Sequence, residues 1–170
     1  SKSEWTFNGL KLSQNNNNAK SSIIYRPWSN IHDWKNYYIN FNIAANTNDR
    51  RQVGCYLRWI DIENYYKIVI EMTNNSQSIN LYHSYSNTSL VSQSQNINTL
   101  GQNNKVFTLH AIIIGNRIQA YVVSGIIFQL NKYATVQELE QFLERVKSAA
   151  VLQLDYQLSP IYSQNSAYLS

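Results

Sequence analysis

The central part of the chain alternates between apolar and polar side chains with a period of two residues. The clearest stretch is residues 65–72, where one face carries Tyr66, Ile68, Ile70 and Met72 and the other carries Tyr65, Lys67, Val69 and Glu71. Residues 37–45, 53–60, 79–83, 106–114 and 117–123 alternate in the same way. Because successive side chains of a β-strand point to opposite faces, each stretch is predicted to be a strand with one buried face.

The spacing of these strands predicts how they are arranged. Gly115-Asn116 separates two of them and fits the tight loop of a β-hairpin. Further strands are expected at residues 126–130 and 152–158. Half-buried strands at this spacing predict an all-β fold, built as a two-sheet antiparallel sandwich. The length of 170 residues fits one domain covering residues 1–170.

One segment near the C-terminus breaks the strand pattern. Thr135 and Glu138 have the spacing of a capping box, in which each residue bonds a backbone N–H at the start of a helix. The residues that follow form an apolar stripe of helical period made of Val136, Leu139, Leu143 and Val146, with Phe142 beside it. A helix is therefore predicted over residues 135–150, and residues 161–170 are expected to form a polar tail.

Charge and cysteine content exclude several classes of function. The net charge is +4, but the 14 basic residues are scattered and Arg50-Arg51 is the only adjacent basic pair, so nucleic-acid binding is not expected. A single cysteine, Cys55, excludes an internal disulfide and a cysteine-based zinc site. Cys55 alternates with apolar neighbours and is predicted to be a core thiol. No apolar run exceeds four residues, so no membrane span is expected.

The polar side chains are mostly neutral. Charged residues make up only 14% of the chain, whereas it contains 23 Asn, 13 Gln, 19 Ser and 13 Tyr. Such a surface suits contact with neutral partners that carry hydroxyl groups. The alternative interpretation is codon bias in an AT-rich genome, which enriches Asn, Tyr and Ile without any functional reason.

Two long stretches resemble the concanavalin A-like (laminin G-like) jelly rolls. Residues 53–70, VGCYLRWIDIENYYKIVI, are similar to that family's strand, short acidic turn, Asn-Tyr-Tyr and second strand. Residues 107–128 resemble its succession of strand, Gly-Asn-Arg turn, strand, Gly turn and strand, and residues 9–25 fit its first hairpin. The resemblance covers residues 9–130 and implies a jelly-roll sandwich, from which the helix at 135–150 departs.

The resemblance implies a range of functions rather than one. The family includes sugar-binding lectin modules, enzyme-attached binding domains, glycoside hydrolases and adhesive protein-binding domains, and fold alone does not choose among them. We expect a non-catalytic recognition domain, extracellular or on the cell surface, whose partner is a carbohydrate or glycoconjugate. The alternative is a structural or adhesive domain that contacts protein subunits or belongs to a larger parent chain.

Sugar recognition uses flat aromatic faces against pyranose rings, and polar side chains for the hydroxyl groups. The residues that the pattern places on outward strand faces are Tyr56, Arg58, Tyr65, Lys67, Gln119 and Tyr121, whereas Cys55, Leu57 and Trp59 are expected to face inward. Trp28 and Trp34 are candidates from a predicted loop at residues 27–35. The alternative is that the strand aromatics pair across strands to stabilise the sheet, and that the tryptophans cover a core edge.

Two further chemistries depend on carboxylates. Asp61, Glu63 and Asn64 in one predicted turn, joined by Asp49, would supply oxygen ligands for calcium; the alternative is that Asp61 and Asn64 simply bond the turn's own backbone. No cofactor is otherwise expected. Glycoside hydrolysis needs two carboxyl groups about 5–10 Å apart. The hydrolases of this fold carry theirs on one strand, whereas no predicted strand here has such a motif, so hydrolysis ranks third.

Overall fold

The structure is a computed structural model that describes residues 5–7, 12–14, 36–45, 51–61, 63–73, 75–84, 89–95, 105–125, 130–131 and 133–158. The chain divides into two compact units, residues 1–31 and residues 32–170. In the first unit, strands β1 (Trp5–Phe7) and β2 (Leu12–Gln14) form an antiparallel pair.

The second unit contains eight described strands and one helix. In chain order they are β3 (Tyr37–Ala45), β4 (Arg51–Asp61), β5 (Asn64–Met72), β6 (Gln77–His83), β7 (Ser89–Gln95), β8 (Lys105–Ile114), β9 (Arg117–Ser124), α1 (Val136–Ala149) and β10 (Ala150–Gln157).

The strands of this unit form two antiparallel four-stranded sheets. Sheet I has the order β10-β9-β8-β3, and sheet II has the order β4-β5-β6-β7. The chain leaves sheet I after β3, builds all of sheet II by adjacent pairings, and returns at β8 beside β3. Gly115 takes a φ of +54° in the β8–β9 loop, which is why a residue without a Cβ occurs there. The predicted two-sheet antiparallel sandwich with one C-terminal helix is confirmed.

The core lies between the inner faces of the two sheets. Sheet II contributes Leu57, Tyr66, Ile68, Ile70, Met72, Ile79 and Leu81 to it, and sheet I contributes Phe107, Leu109, Ala111, Ile113, Ile118, Ala120, Val122, Leu152 and Leu154. The faces predicted for residues 65–72 and 37–45 agree with this packing. Cys55 packs partly buried against the same core, and burial raises the pKa of its thiol to about 12.

Helix α1 covers the outer face of sheet I. Phe142 and Val146 pack against Ile112, Tyr121 and Val123 in a second, smaller apolar cluster. The Thr135 hydroxyl accepts a hydrogen bond from the backbone N–H of Glu138 at 3.1 Å, as the capping box predicts. The apolar stripe predicted for this helix was wrong at its first residue, Val136.

Val136 is 74% exposed, because the helix meets the sheet only from its second turn, where Leu139 packs against the cluster. Among the helices of the described part of the chain, none is long and apolar enough to cross a membrane.

Side chains join the edges of the two sheets. The Gln95 amide of β7 donates to the Val151 carbonyl of β10, and the Gln93 side chain accepts from the Gln153 N–H.

Strand β7 itself was not predicted from the sequence. The strand expected at residues 126–130, apart from Leu130, and the polar tail at 161–170 lie outside the described residues.

Candidate functional site

The register of β4 against β5 breaks next to the predicted site. Leu57 pairs with Tyr66 and Asp61 pairs with Asn64, so three residues of β4 lie opposite the single residue Tyr65. Within a bulge of this kind the regular alternation of side chains is interrupted. The prediction that Trp59 faces the core beside Leu57 was therefore wrong, because Trp59 contacts side chains on the outer face of sheet II.

The bulge gathers a cluster of aromatic rings on this outer face. We call Tyr56, Trp59, Tyr65, Lys67 and Tyr82 the aromatic surface. Trp59 stacks on Tyr65 with ring centroids 5.2 Å apart and ring planes 16° apart. Tyr56 meets both rings edge to face, at 5.0 Å from Trp59 and 4.9 Å from Tyr65. These are the distances and geometries at which aromatic pairs attract one another.

A cation borders the three rings. Lys67 pairs directly with Tyr56 across the strands on one side and with Tyr82 on the other. Its ammonium lies 5.1 Å from the centroid of the Tyr82 ring, within the range of a cation–π contact. Desolvation, with a smaller contribution from Tyr56, raises the pKa of the Tyr65 phenol. The aromatic surface thus offers ring faces, phenol hydroxyls and one ammonium group.

Arg58 does not lie on this surface. Its side chain is only 9% exposed, and its guanidinium donates to the carbonyl of Gly115 in the β8–β9 loop. Burial lowers the pKa of this guanidinium below its usual value. The prediction that Arg58 shares the outward face of Tyr56 was wrong, because the residue is buried and its side chain contacts the β8–β9 loop of sheet I.

Gln119 and Tyr121 lie on the other side of the sandwich, on the outer face of sheet I. The Gln119 amide donates to the Tyr121 hydroxyl at 3.2 Å and to the Asp155 carboxylate at 3.1 Å. Asp155 also accepts two hydrogen bonds from Arg117, and this pairing holds the pKa of its carboxyl below the usual range. Tyr121 is buried beneath α1. The predicted sugar-binding residues are therefore split between two opposite faces.

The acidic turn between β4 and β5 is closed by its own hydrogen bonds. The Asp61 carboxylate accepts from the backbone N–H of Glu63 at 2.8 Å and from the side-chain amide of Asn64 at 2.9 Å. These bonds lower the pKa of Asp61, with the Asn64 side chain as the larger cause. This is the turn interpretation of the motif.

The calcium interpretation of this turn stays a prediction. No group of three or more His, Cys, Asp or Glu side chains arranged to hold a metal occurs among the residues that the structure describes. Asp49 lies outside the described residues, as do Trp28 and Trp34.

Two members of the aromatic surface were not among the predicted site residues. The alternation of Ile79, Leu81 and His83 implies that Tyr82 points outward, so the sequence contained a signal for it. The outward turn of Trp59 had no such signal, because regular alternation does not reveal the irregular pairing of β4 with β5 at this point. When the chain was compared with protein-family models, curated proteins and solved structures, no match was found in any of the three.

Proposed function

We propose that this chain is a non-catalytic recognition domain that binds carbohydrate on the aromatic surface. The observation that carries this proposal is the contact of three aromatic rings on the outer face of sheet II beside the Lys67–Tyr82 pair. Tyr56, at 37% exposure, offers the most accessible ring of the cluster. In keeping with this function, we propose an extracellular or cell-surface location.

Recognition would divide between apolar and polar contacts. The C–H face of a pyranose ring packs on the rings of Tyr56 and Trp59, where aromatic side chains provide large contact areas at a low entropic cost. Phenol hydroxyls and the Lys67 ammonium bond the sugar hydroxyls. Because the surface is open rather than enclosed, we expect a dissociation constant of roughly micromolar to millimolar, about −8 to −4 kcal/mol.

The neighbouring rows of the same face carry neutral polar side chains, of which Asn80 is only 6% exposed and bonds its own neighbours. The Asn80 amide donates to the Ser78 hydroxyl at 3.0 Å and accepts from the Ser92 hydroxyl at 2.5 Å. Glu71 is the one carboxylate among the described strand residues that point to this face. Hydrolysis needs a pair of carboxyls, so binding without catalysis is the function that these side chains favour.

A second candidate is a structural or adhesive domain that binds protein. The observation that favours it is the exposure of two large apolar side chains at the start of α1, Tyr133 at 80% and Val136 at 74%. Large exposed apolar patches often mark protein interfaces, and these two residues lie only three positions apart in the sequence. In this case the partner contacts would lie around α1, away from sheet II.

The two candidates are separated by one binding experiment. Purified protein is applied to an array of neutral and acidic glycans, with calcium and again with chelator, as wild type, Trp59→Ala and Tyr133→Ala. The proposal predicts that wild type and Tyr133→Ala bind the same glycan class and that Trp59→Ala does not. Absence of glycan binding by the wild type, or equal binding by Trp59→Ala, would contradict the proposal.

A further inference from the structure

We infer that Arg58 is the positioning residue of the aromatic surface: its left-handed backbone turns Trp59 outward, and its side chain fixes that turn against sheet I. The inference rests on the proposed function only for its effect on sugar binding. Its structural part concerns how one residue of β4 sets the geometry of the Trp59–Tyr65 stack.

Strands β4 and β5 contribute unequal numbers of residues next to Trp59. Between the pairs Leu57–Tyr66 and Asp61–Asn64, β4 has two residues more than β5. An uninterrupted β4 would place Trp59 on the same side as Leu57, which is fully buried in the core. The extra residues are therefore what brings Trp59 into contact with Tyr65.

Arg58 has a left-handed backbone conformation. Its φ is +47°, and it is the one non-glycine residue with a positive φ in the part of the chain that the structure describes. A residue with a Cβ is strained in this region, and such residues persist where surrounding contacts hold them. Bulges next to binding sites commonly redirect a side chain in this way.

Hydrogen bonds to sheet I and its loops hold the backbone of Arg58 in this conformation. The Arg58 backbone N–H donates to the Tyr37 hydroxyl at 3.0 Å, and its guanidinium donates to the Gly115 carbonyl. The loop that supplies this carbonyl is itself fixed, because the Gly115 N–H donates to the Asn36 side chain at 2.7 Å. Tyr37 belongs to β3, Asn36 precedes it, and Gly115 lies in the β8–β9 loop, so all of these contacts come from sheet I and its loops. Sheet I therefore determines where Trp59 points on sheet II.

Substitutions at Arg58 separate the backbone effect from the side-chain effect. Asn accepts a positive φ more readily than other non-glycine residues, whereas a β-branched Val strongly disfavours it. Both substitutions remove the guanidinium equally. Gln52→Val serves as the matched control, because it introduces the same side chain at an exposed position of the same strand.

The readout is the Trp59 contribution to the near-ultraviolet circular dichroism, obtained by subtracting the spectrum of the same protein carrying Trp59→Phe. We expect Arg58→Asn and Gln52→Val to keep this contribution and Arg58→Val to lose it while still unfolding cooperatively. If Arg58→Val does not fold, Arg58→Asn is compared with Arg58→Ala instead. Arg58→Ala should then show the smaller Trp59 contribution to the circular dichroism.

The inference is overturned if Arg58→Val folds and keeps the wild-type Trp59 contribution to the spectrum. It is also overturned if Arg58→Asn loses as much of this contribution as Arg58→Val or Arg58→Ala does. None of these spectra requires a ligand. If they follow the expectation and no glycan binds, Arg58 positions Trp59 but the carbohydrate proposal fails. If a glycan does bind, Arg58→Val should weaken its binding more than Arg58→Asn does.

Discussion

The hydroxyl of Tyr38 lies 2.5 Å from Nδ1 of His110, and both rings lie beneath helix α1. The two rings are nearly parallel, with centroids 6.0 Å apart, and Phe142 of the helix contacts both edge to face. His110 is fully buried, and this burial lowers the pKa of its imidazole from 6.5 to about 4. The packing of the helix on sheet I thus encloses a neutral histidine.

The first prediction concerns the acid sensitivity of the fold. Above pH 6.5 His110 is neutral in both the folded and the unfolded state, so it adds no pH dependence. Below pH 6.5 the unfolded state takes up a proton that the folded state resists. The free energy of unfolding should therefore fall between pH 6.5 and pH 4, by up to about 3 kcal/mol. Urea unfolding at several pH values measures this loss.

The control for this prediction is a pair of variants. Burial also lowers the pKa of His83, so His83→Gln and His110→Gln should each remove part of the slope, with the larger part lost in His110→Gln. The carboxyls of Asp61 and Asp155 have lowered pKa values and stabilise the fold until the pH falls below the usual aspartate range. An unchanged slope in His110→Gln would contradict the account.

The second prediction concerns β10, which is an edge strand of sheet I among the strands that the structure describes. The Gln93 and Gln95 side chains bond backbone groups of Val151 and Gln153 that would otherwise be open to pairing with another chain. Replacing both glutamines by alanine should lower the free energy of unfolding by about 1–3 kcal/mol and promote association. Denaturation and light scattering measure these effects. Ser94→Ala, on the outward face between them, should behave like the wild type.

The third prediction concerns calcium. Because the Asp61 carboxylate already accepts hydrogen bonds from Glu63 and Asn64, the turn is complete without an ion. A ligand that binds only the folded state raises the melting temperature, because it stabilises that state by RT ln(1 + [L]/Kd). We expect millimolar calcium or chelator to leave the melting temperature unchanged. A rise with calcium that Asp61→Asn abolishes would establish a calcium site at this turn.

Much of the fold could be predicted because local signals agreed with tertiary packing. Period-two alternation identified the buried face of β5, Gly115-Asn116 marked the β8–β9 hairpin, and Thr135 marked the start of α1. Strand β7 could not be found in this way. Its sequence, SLVSQSQ, has few apolar residues, because its outward side chains are hydroxyls and two of its glutamines bond β10.

The site was predictable only in part for a related physical reason. Alternation correctly placed Tyr56, Tyr65 and Lys67 on an outward face. It does not tell which of the two sheets a strand joins, and Gln119 belongs to sheet I whereas the other three residues belong to sheet II. The position of Trp59 depends on a backbone conformation that contacts distant in sequence hold in place. Local spacing carries no information about such contacts.

The most direct test of the carbohydrate proposal is a calorimetric titration with the glycan class that the array selects. Wild type is compared with Tyr56→Ala, on the aromatic surface, and with Gln119→Ala, on the opposite face. We expect Tyr56→Ala to raise the dissociation constant about tenfold or more, equivalent to about 1.4 kcal/mol, and Gln119→Ala to leave it unchanged. Equal binding by Tyr56→Ala, or weakened binding by Gln119→Ala alone, would contradict it.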